Sequence, residues 1–503
     1  MNYADLFRVT LPETMLEIAA LLVLVMDLAF LRKAGLRVRA AAAALVGVAG
    51  CGAAAWALSA TGGGSLRAGD ELLLAGGGSA AVAQYGILAL TALTLLLLID
   101  SVFTRHVGEF VAVVLMSVTG GLLIAAAQDL LVIFIGLELL SLGLYILTAF
   151  AKQSGRSAEG AMKYYLFGGM SAAFLLFGFS YLYGLTGSTN LLPVMLRIHQ
   201  ATGPSADPLL LVSLVMIAAG LGFKVAAAPF HFWAPDAYEG APAPGAAFIA
   251  SVSKVASFAL LISIGTAGAY ASGTSNAPNE GFIGPWTLVV TVLSLASMLA
   301  GNLAALAQIS VRRLLAYSAI AHAGYILLGL AFFSRSNASA AAILYYILTY
   351  GLTTIGAFGA VGVVERATGS DRMDAFLGLY KRNPLLAAVL LVLFLSLAGI
   401  PPLVGFWAKF NLFAAVLSVG AGPIAFSLVA LAVALSAVSL YYYLQVLKRA
   451  FVMPVADPAG RVEKISVDPV TMIVLVAIAA AVVVMGCFPA LLQGWIAGFY
   501  AAM

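Results

Sequence analysis

Residues 222–260 read GFKVAAAPFHFWAPDAYEGAPAPGAAFIASVSKVASFAL. The stretch is apolar enough for a bilayer, yet it holds Lys224 and Lys254 and is interrupted by Pro229, Pro235, Pro242 and Pro244. An ionisable side chain at bilayer depth costs at least about 2.5–3.5 kcal/mol, so a chain that keeps several points to ion or proton movement. A proline in mid-segment removes an amide donor and frees carbonyls one turn earlier. Such backbone is tolerated in a membrane where it is buried in protein or lines a cavity. A second stretch, LSLAGIPPLVGFWAKF at 395–410, repeats the design: Pro402 to Trp407 followed by Ala408 matches Pro229 to Trp233 followed by Ala234, and Lys409 comes next. Matched broken helices in two halves are the mark of a transporter built from repeats, and proline kinks in packed helices without function are the competing reading.

Working outward, the composition fits only a membrane protein. Of 503 residues 63% are hydrophobic and 9% charged, with a mean hydropathy of +1.06, which leaves no room for a soluble domain. The net charge is +4, too small in so apolar a chain to suggest a nucleic-acid partner. Cys51 and Cys487 lie in separate apolar segments and suggest neither a disulfide framework nor a metal site. The opening MNYADLFRVTLPETMLE has no basic region followed by a small-residue cleavage site, so the first helix is expected to remain.

Windows of about 20 apolar residues give fourteen spans, roughly 12–31, 40–60, 80–104, 109–127, 129–150, 160–185, 208–235, 243–268, 285–307, 311–333, 338–364, 384–418, 422–447 and 469–497. The fold class is therefore all-α and polytopic. Basic residues test the count. After spans 1, 3, 5, 9, 11 and 13 come Arg32, Lys33, Arg37, Arg39, Arg105, Lys152, Arg156, Lys163, Arg312, Arg313, Arg366, Arg372, Lys381, Arg382, Lys448, Arg449, Arg461 and Lys464; the other side receives Arg8, Arg67, Arg197 and Arg335. Eighteen against four leaves three of the 25 Lys and Arg, and these are the buried Lys224, Lys254 and Lys409. Both termini are expected outside the cytoplasm.

Glu138, in DLLVIFIGLELLSLGLY, lies nine residues past Asp129, about 14 Å along a helix and near the bilayer centre. A static ion pair would also explain it. Lys254 has about ten apolar or small residues on either side, too many for its ammonium to snorkel out. Lys224 precedes Pro229 by five residues, where freed carbonyls or a carboxylate could accept from it. Lys409 follows the second break and faces either a cavity or the far surface. His322, midway along its span, fits a hydrogen-bonded structural histidine as well as a relay. Asp27, Asp100, Glu109 and Asp129 sit near helix ends and read as interface or helix-start charges, while His231 is a weaker candidate for an entry group. Burial and a nearby carboxylate act on a lysine in opposite directions, and at about 1.36 kcal/mol per pH unit moving one carboxylate suffices to load or unload a proton. Glu138, Lys224, Lys254, His322 and Lys409 are thus expected to form a lateral, water-bridged path.

At these residues the sequence resembles the antiporter-like membrane subunits of respiratory complex I, the proton-translocating NADH-quinone oxidoreductase. The stretches that carry the resemblance are DLLVIFIGLELLSLGLYILTAF, GFKVAAAPFHFWAPDAYEGAPAPGAAFIASVSKVASFAL, VRRLLAYSAIAHAGYILLGL and LSLAGIPPLVGFWAKF, in that order, densest from about 129 to 410. The resemblance implies that Glu138 of the fifth helix pairs with Lys224 of the discontinuous seventh, that Lys254 is the central lysine of the eighth, that His322 connects two half-channels, and that Lys409 is the terminal residue of the broken twelfth. It also implies two inverted five-helix repeats: 1–108 for helices 1–3, 109–268 for the first repeat, 285–448 for the second, and 469–503 for the last helix. A lysine at 409, where the M type typically has a glutamate, and no long lateral helix after the last span favour the N type.

The expected function is proton translocation coupled to NADH oxidation and quinone reduction in partner subunits. FMN, iron–sulfur clusters, NADH and quinone are expected in those partners and no cofactor in this chain, which has no cysteine cluster or phosphate loop. The expected partners are an M-type antiporter-like subunit, small K- and J-type subunits and the lipid of a bacterial inner membrane. The alternatives are a subunit of a multi-subunit cation/proton antiporter or of a related membrane-bound hydrogenase, and a static scaffold with locked ion pairs. The first 80 residues, with a glycine-rich loop over 61–79, carry no functional reading.

Overall fold

The computed structural model describes residues 3–501 apart from 63, 70, 102, 202–207, 272–283, 334–336, 420–421 and 455–463; Arg335 and Arg461 of the charge tally lie outside the described residues. Among the described residues eleven helices are long and apolar enough to cross a bilayer. Span 1 (Leu11–Val25, continued to Phe30 as a π-helix) and the two broken spans, 7 (Pro208–Val225 with Trp233–Gly240) and 12 (Pro384–Ala398 with Val404–Ser418), bring the total to the expected fourteen.

Three details differ from the sequence reading. The glycine-rich segment is not all loop: Ser65–Ala68 and Glu71–Ala75 pair as a small antiparallel hairpin, an element that alternating strand patterning was too short to reveal. The last window is two helices, Pro469–Cys487 and Ala490–Ala501, because Phe488 leaves the helical region just before Pro489. Span 8 is also interrupted, at Ser251 between Ala243–Ala250 and Val252–Ala271, so all three buried lysines, not two, lie close to irregular backbone.

The repeats are visible in matched junctions. Spans 4 and 5 (Val107–Ala126, Leu130–Thr148) meet at Asp129, whose side chain caps span 5 by accepting from Leu131 N at 2.9 Å. Spans 9 and 10 (Gly284–Leu306, Val311–Ala331) meet at Ser310, which caps span 10 through Arg313 N. Spans 6 (Gly155–Thr186) and 11 (Asn337–Thr368) both end in Thr-Gly-Ser, where Gly187 and Gly369 share a φ of 71°, a conformation that a side chain would strain. The segment after each of these then pairs with the earlier cap: Leu130 N donates to Thr189 O and Leu191 N to Gln128 O, while Val311 N donates to Asp371 O and Met373 N to Ile309 O, all at 2.8–2.9 Å.

The first junction packs on the hairpin, where Asn190 Nδ2 donates to Leu72 O at 2.9 Å. The second lies at the opposite, basic end, so the two five-helix units are inverted. That end draws together the loops the charge tally placed on one side: Arg37 reaches Asp468 at 3.0 Å and Arg366 reaches Asp100 at 2.6 Å. The end charges behave as expected of them, Asp27 being clamped by Arg39 at 2.6 Å and Glu109 lying 2.9 Å from His106.

Close helix contact is made by small residues, as usual where lipid offers no hydrophobic driving force between helices. A Cβ on Gly120 would lie 2.6 Å from Leu140 N, and Gly301 abuts Ala321 in the equivalent hairpin of the second repeat. Spans 8, 10 and 11 are enclosed by the rest. Lys254 and His322 belong to two of these inner spans.

Candidate functional site

Capping by Asp129 fixes the start of span 5, and Glu138 and Ser141, three residues apart, then share one face. Lys224 is in the last turn of the first half of span 7, just before Ala226 turns the chain with a φ of 57°. Its Nζ donates to Glu138 Oε1 at 3.3 Å and to Ser141 Oγ at 2.5 Å. The carbonyls loosened by the break are used by the chain itself, since Phe223 O accepts from both Ala226 N and the Trp233 indole at 3.0 Å. A carboxylate, rather than those carbonyls, is therefore the lysine's partner. The lysine side chain is 7% exposed and the glutamate 25%, so Glu138 is the half-open member of the pair. Two unit charges about 4 Å apart interact by about 4 kcal/mol at an effective dielectric of 20, which makes the pair sensitive to any charge that approaches Glu138.

Lys254 follows the Ser251 interruption by three residues and is 3% exposed. Its Nζ donates to Ala319 O of span 10 at 2.6 Å. One turn further along that helix is His322, 5% exposed, whose Nδ1 lies 2.8 Å from the Tyr346 hydroxyl. Its Nε2 has no hydrogen-bond partner among the described residues. At Leu397 the second break does what proline chemistry predicts. With Pro401 and Pro402 unable to donate, the Leu397 and Ala398 carbonyls accept from Lys409 Nζ at 3.3 and 2.8 Å, and Ser436 Oγ accepts at 2.7 Å. Lys409 is 6% exposed and faces the interior rather than the far surface.

The five expected residues thus fall into a contact pair, Glu138 with Lys224, and a looser row of Lys254, His322 and Lys409, in which Lys254 touches the helix of His322 and Lys409 is held by the carbonyls of the second break. Lys224 and Lys254 do not hydrogen-bond each other. Of the three lysines only Lys224 has a carboxylate within ion-pair distance among the described residues. His231 stacks on Phe232 at 4.6 Å and touches no member of the row. Ser141, Tyr346, Ser436 and the Ala319 and Leu397 carbonyls were missed in the sequence. Ser141 was within reach, being three residues from Glu138, whereas a backbone carbonyl leaves no sequence signal.

The second half of span 7 is anchored at the basic end by a charge cluster. Asp236 accepts from Lys163 of span 6 at 2.7 Å and from Arg313 of span 10 at 2.5 Å, and Arg313 also binds Glu239 at 2.9 Å. Next to it Arg312, 5% exposed, donates to the Ala241 carbonyl and lies 3.4 Å from Glu365.

Residues 127–436 match the family of NADH:quinone oxidoreductase/Mrp antiporter transmembrane subunits. Over 99% of both chains the sequence is 46% identical to NADH-quinone oxidoreductase subunit N 2 of Acidobacterium capsulatum, and it is 39% identical to subunit N 1 of Roseiflexus castenholzii over 82% of this chain and 78% of that one. Among solved structures, a chain of respiratory complex I from Thermus thermophilus with bound aureothin superposes with a TM-score of 0.75 at 32% identity, covering 96% of this chain and 98% of that one. A chain of the Mrp complex from Dietzia sp. has the same fold, with a TM-score of 0.76 over 98% and 97% of the two chains, but at 22% identity.

Proposed function

The chain belongs to the antiporter-like membrane subunits of NADH-quinone oxidoreductase, of the subunit N type, and we propose that it carries its protons through Glu138, Lys224, Lys254, His322 and Lys409. It is a multi-pass, proton-translocating membrane subunit of respiratory complex I, and other subunits of that complex are its partners. In our reading the neighbours are an M-type antiporter-like subunit and small K- and J-type subunits. The membrane is a bacterial inner membrane, both termini are periplasmic, and the basic end faces the cytoplasm. Electron transfer, with its FMN and iron–sulfur clusters, belongs to partner subunits, and this chain contributes charge and proton movement alone.

The observation that carries the reading is the buried pair of Lys224 and Glu138 placed ahead of two buried lysines that, among the described residues, have no carboxylate within ion-pair distance. Charge approaching the half-open Glu138 weakens its hold on Lys224. The altered field at Lys224 then changes the protonation balance at Lys254, which passes its proton by way of His322 to Lys409, held by the carbonyls of the second break. Removing one partner of a buried pair costs about 3–5 kcal/mol because the other charge is left uncompensated. In assembled complex, Lys224→Ala and Glu138→Ala are therefore expected to reduce proton pumping coupled to quinone reduction strongly, about tenfold or more by that figure. Normal pumping in both variants would overturn the assignment.

A further inference from the structure

Among the described residues Lys254 and Lys409 have no carboxylate within ion-pair distance, but each has an aromatic face. Lys254 Nζ lies 6.0 Å from the centroid of the Tyr350 ring, and Lys409 Nζ lies 5.4 Å from that of Tyr325. Both rings also meet His322: Tyr350 at 4.8 Å with a 37° tilt, and Tyr325 at 5.9 Å edge-on at 87°. Ring by ring, Tyr350 spans the gap between Lys254 and the imidazole, and Tyr325 the gap between the imidazole and Lys409. Neither ring is free to swing, since Tyr350 is 5% exposed and Tyr325 fully buried. The Tyr325 hydroxyl further accepts from Asn302 Nδ2 at 3.0 Å, and Asn302 Oδ1 in turn accepts from Tyr442 at 3.2 Å.

A ring face attracts an ammonium through its quadrupole and supplies no counter-charge. It therefore supports a protonated lysine more weakly than a carboxylate does, and a proton so held can still leave. A carboxylate at the same place would fix the charge, as Glu138 does for Lys224. We propose that Tyr350 and Tyr325 are positioning residues for the lateral proton step, each using its ring face to hold a protonated lysine towards His322. The inference rests on the reading of Lys254 and Lys409 as proton carriers.

The test compares assembled complexes in proteoliposomes at matched complex content, with proton pumping per NADH oxidised as the readout. Tyr350→Phe keeps the ring face and is expected to stay within about twofold of wild type, whereas pentafluorophenylalanine at position 350, of similar shape but with the quadrupole reversed, is expected to lower pumping about fivefold or more. The matching pair at position 325 is read in the same way if the fluorinated 350 complex does not assemble. Equal pumping in the phenylalanine and fluorinated complexes overturns the role of the rings, and so does a loss in Tyr350→Phe as large as in the fluorinated one, which would place the requirement on the hydroxyl. Lys254→Met separates the two levels. If it abolishes pumping while fluorination has no effect, the tyrosine role fails alone; if it pumps normally, the carrier reading beneath it fails too.

Discussion

Lys224 makes two side-chain hydrogen bonds, and they are not equivalent. The bond to Ser141 is between a cation and a neutral hydroxyl, worth about 1.5–3 kcal/mol, whereas loss of Glu138 strands a buried charge at about 3–5 kcal/mol. Ser141→Ala is thus expected to slow coupled pumping measurably but less than Glu138→Ala, read as initial rates of vesicle acidification at equal complex content; a reversal of that order would show that the serine, not the carboxylate, sets the state of the lysine. At this scale the sequence was legible because an ionisable residue in an apolar run is an energetic anomaly whatever the fold. Lys224, Lys254, Lys409, Glu138 and His322 all announced themselves in that way. Tyr325, Tyr346 and Tyr350 did not, since buried tyrosines are common: Tyr325 is a neighbour of His322 one turn along the same helix, and only the packing of span 11 against span 10 brings Tyr346 and Tyr350 to the imidazole.

Each broken span has one residue that turns the chain into the left-handed region, Ala226 in span 7 and Gly399 in span 12, three residues before Pro229 and Pro402 respectively. Gly399 has a φ of 89°, and a Cβ there would lie 3.0 Å from the Lys409 side chain. Gly399→Ala combines backbone strain of about 1–3 kcal/mol with pressure on the lysine. It is expected to lower pumping more than it lowers the thermal stability of the purified complex, and unchanged pumping would mean that the Lys409 position tolerates displacement. Gly120→Ala is a stability variant instead, because its Cβ meets the backbone of span 5 at 2.6 Å, and a lower yield of assembled complex is the expected result. The prolines made both breaks legible. The interruption at Ser251 was not, because nothing in AAFIASVSKVASFAL marks it. The shared Thr-Gly-Ser at the ends of spans 6 and 11 was a visible repeat signal that proline matching alone passed over.

Across the whole molecule, the second half of span 7 is held by a charge cluster drawn from both repeats, with Lys163 from one and Arg313 from the other meeting at Asp236. The cluster joins a carboxylate to an ammonium and a guanidinium, groups whose ordinary pKa values lie at about 4 and above about 10, well away from neutrality. The anchor is therefore expected to be constant across neutral pH, so a pumping profile that changes between about pH 6 and 9 should be the same in Asp236→Asn as in wild type once matched for assembly. A shift of that profile in Asp236→Asn would instead assign Asp236 a role in proton delivery. The count of spans and the sharing of one end by the basic loops were legible from hydropathy and charge, while the hairpin and the anchoring cluster depend on contacts between distant segments. The central claim is that protons cross the middle of this subunit through Lys254, whose ammonium donates to the Ala319 backbone carbonyl and has no carboxylate within ion-pair distance among the described residues. The most direct measurement is the number of protons moved per NADH oxidised by fully assembled Lys254→Met complex in sealed proteoliposomes: the account predicts a clear fall below wild type, and an unchanged ratio would contradict it.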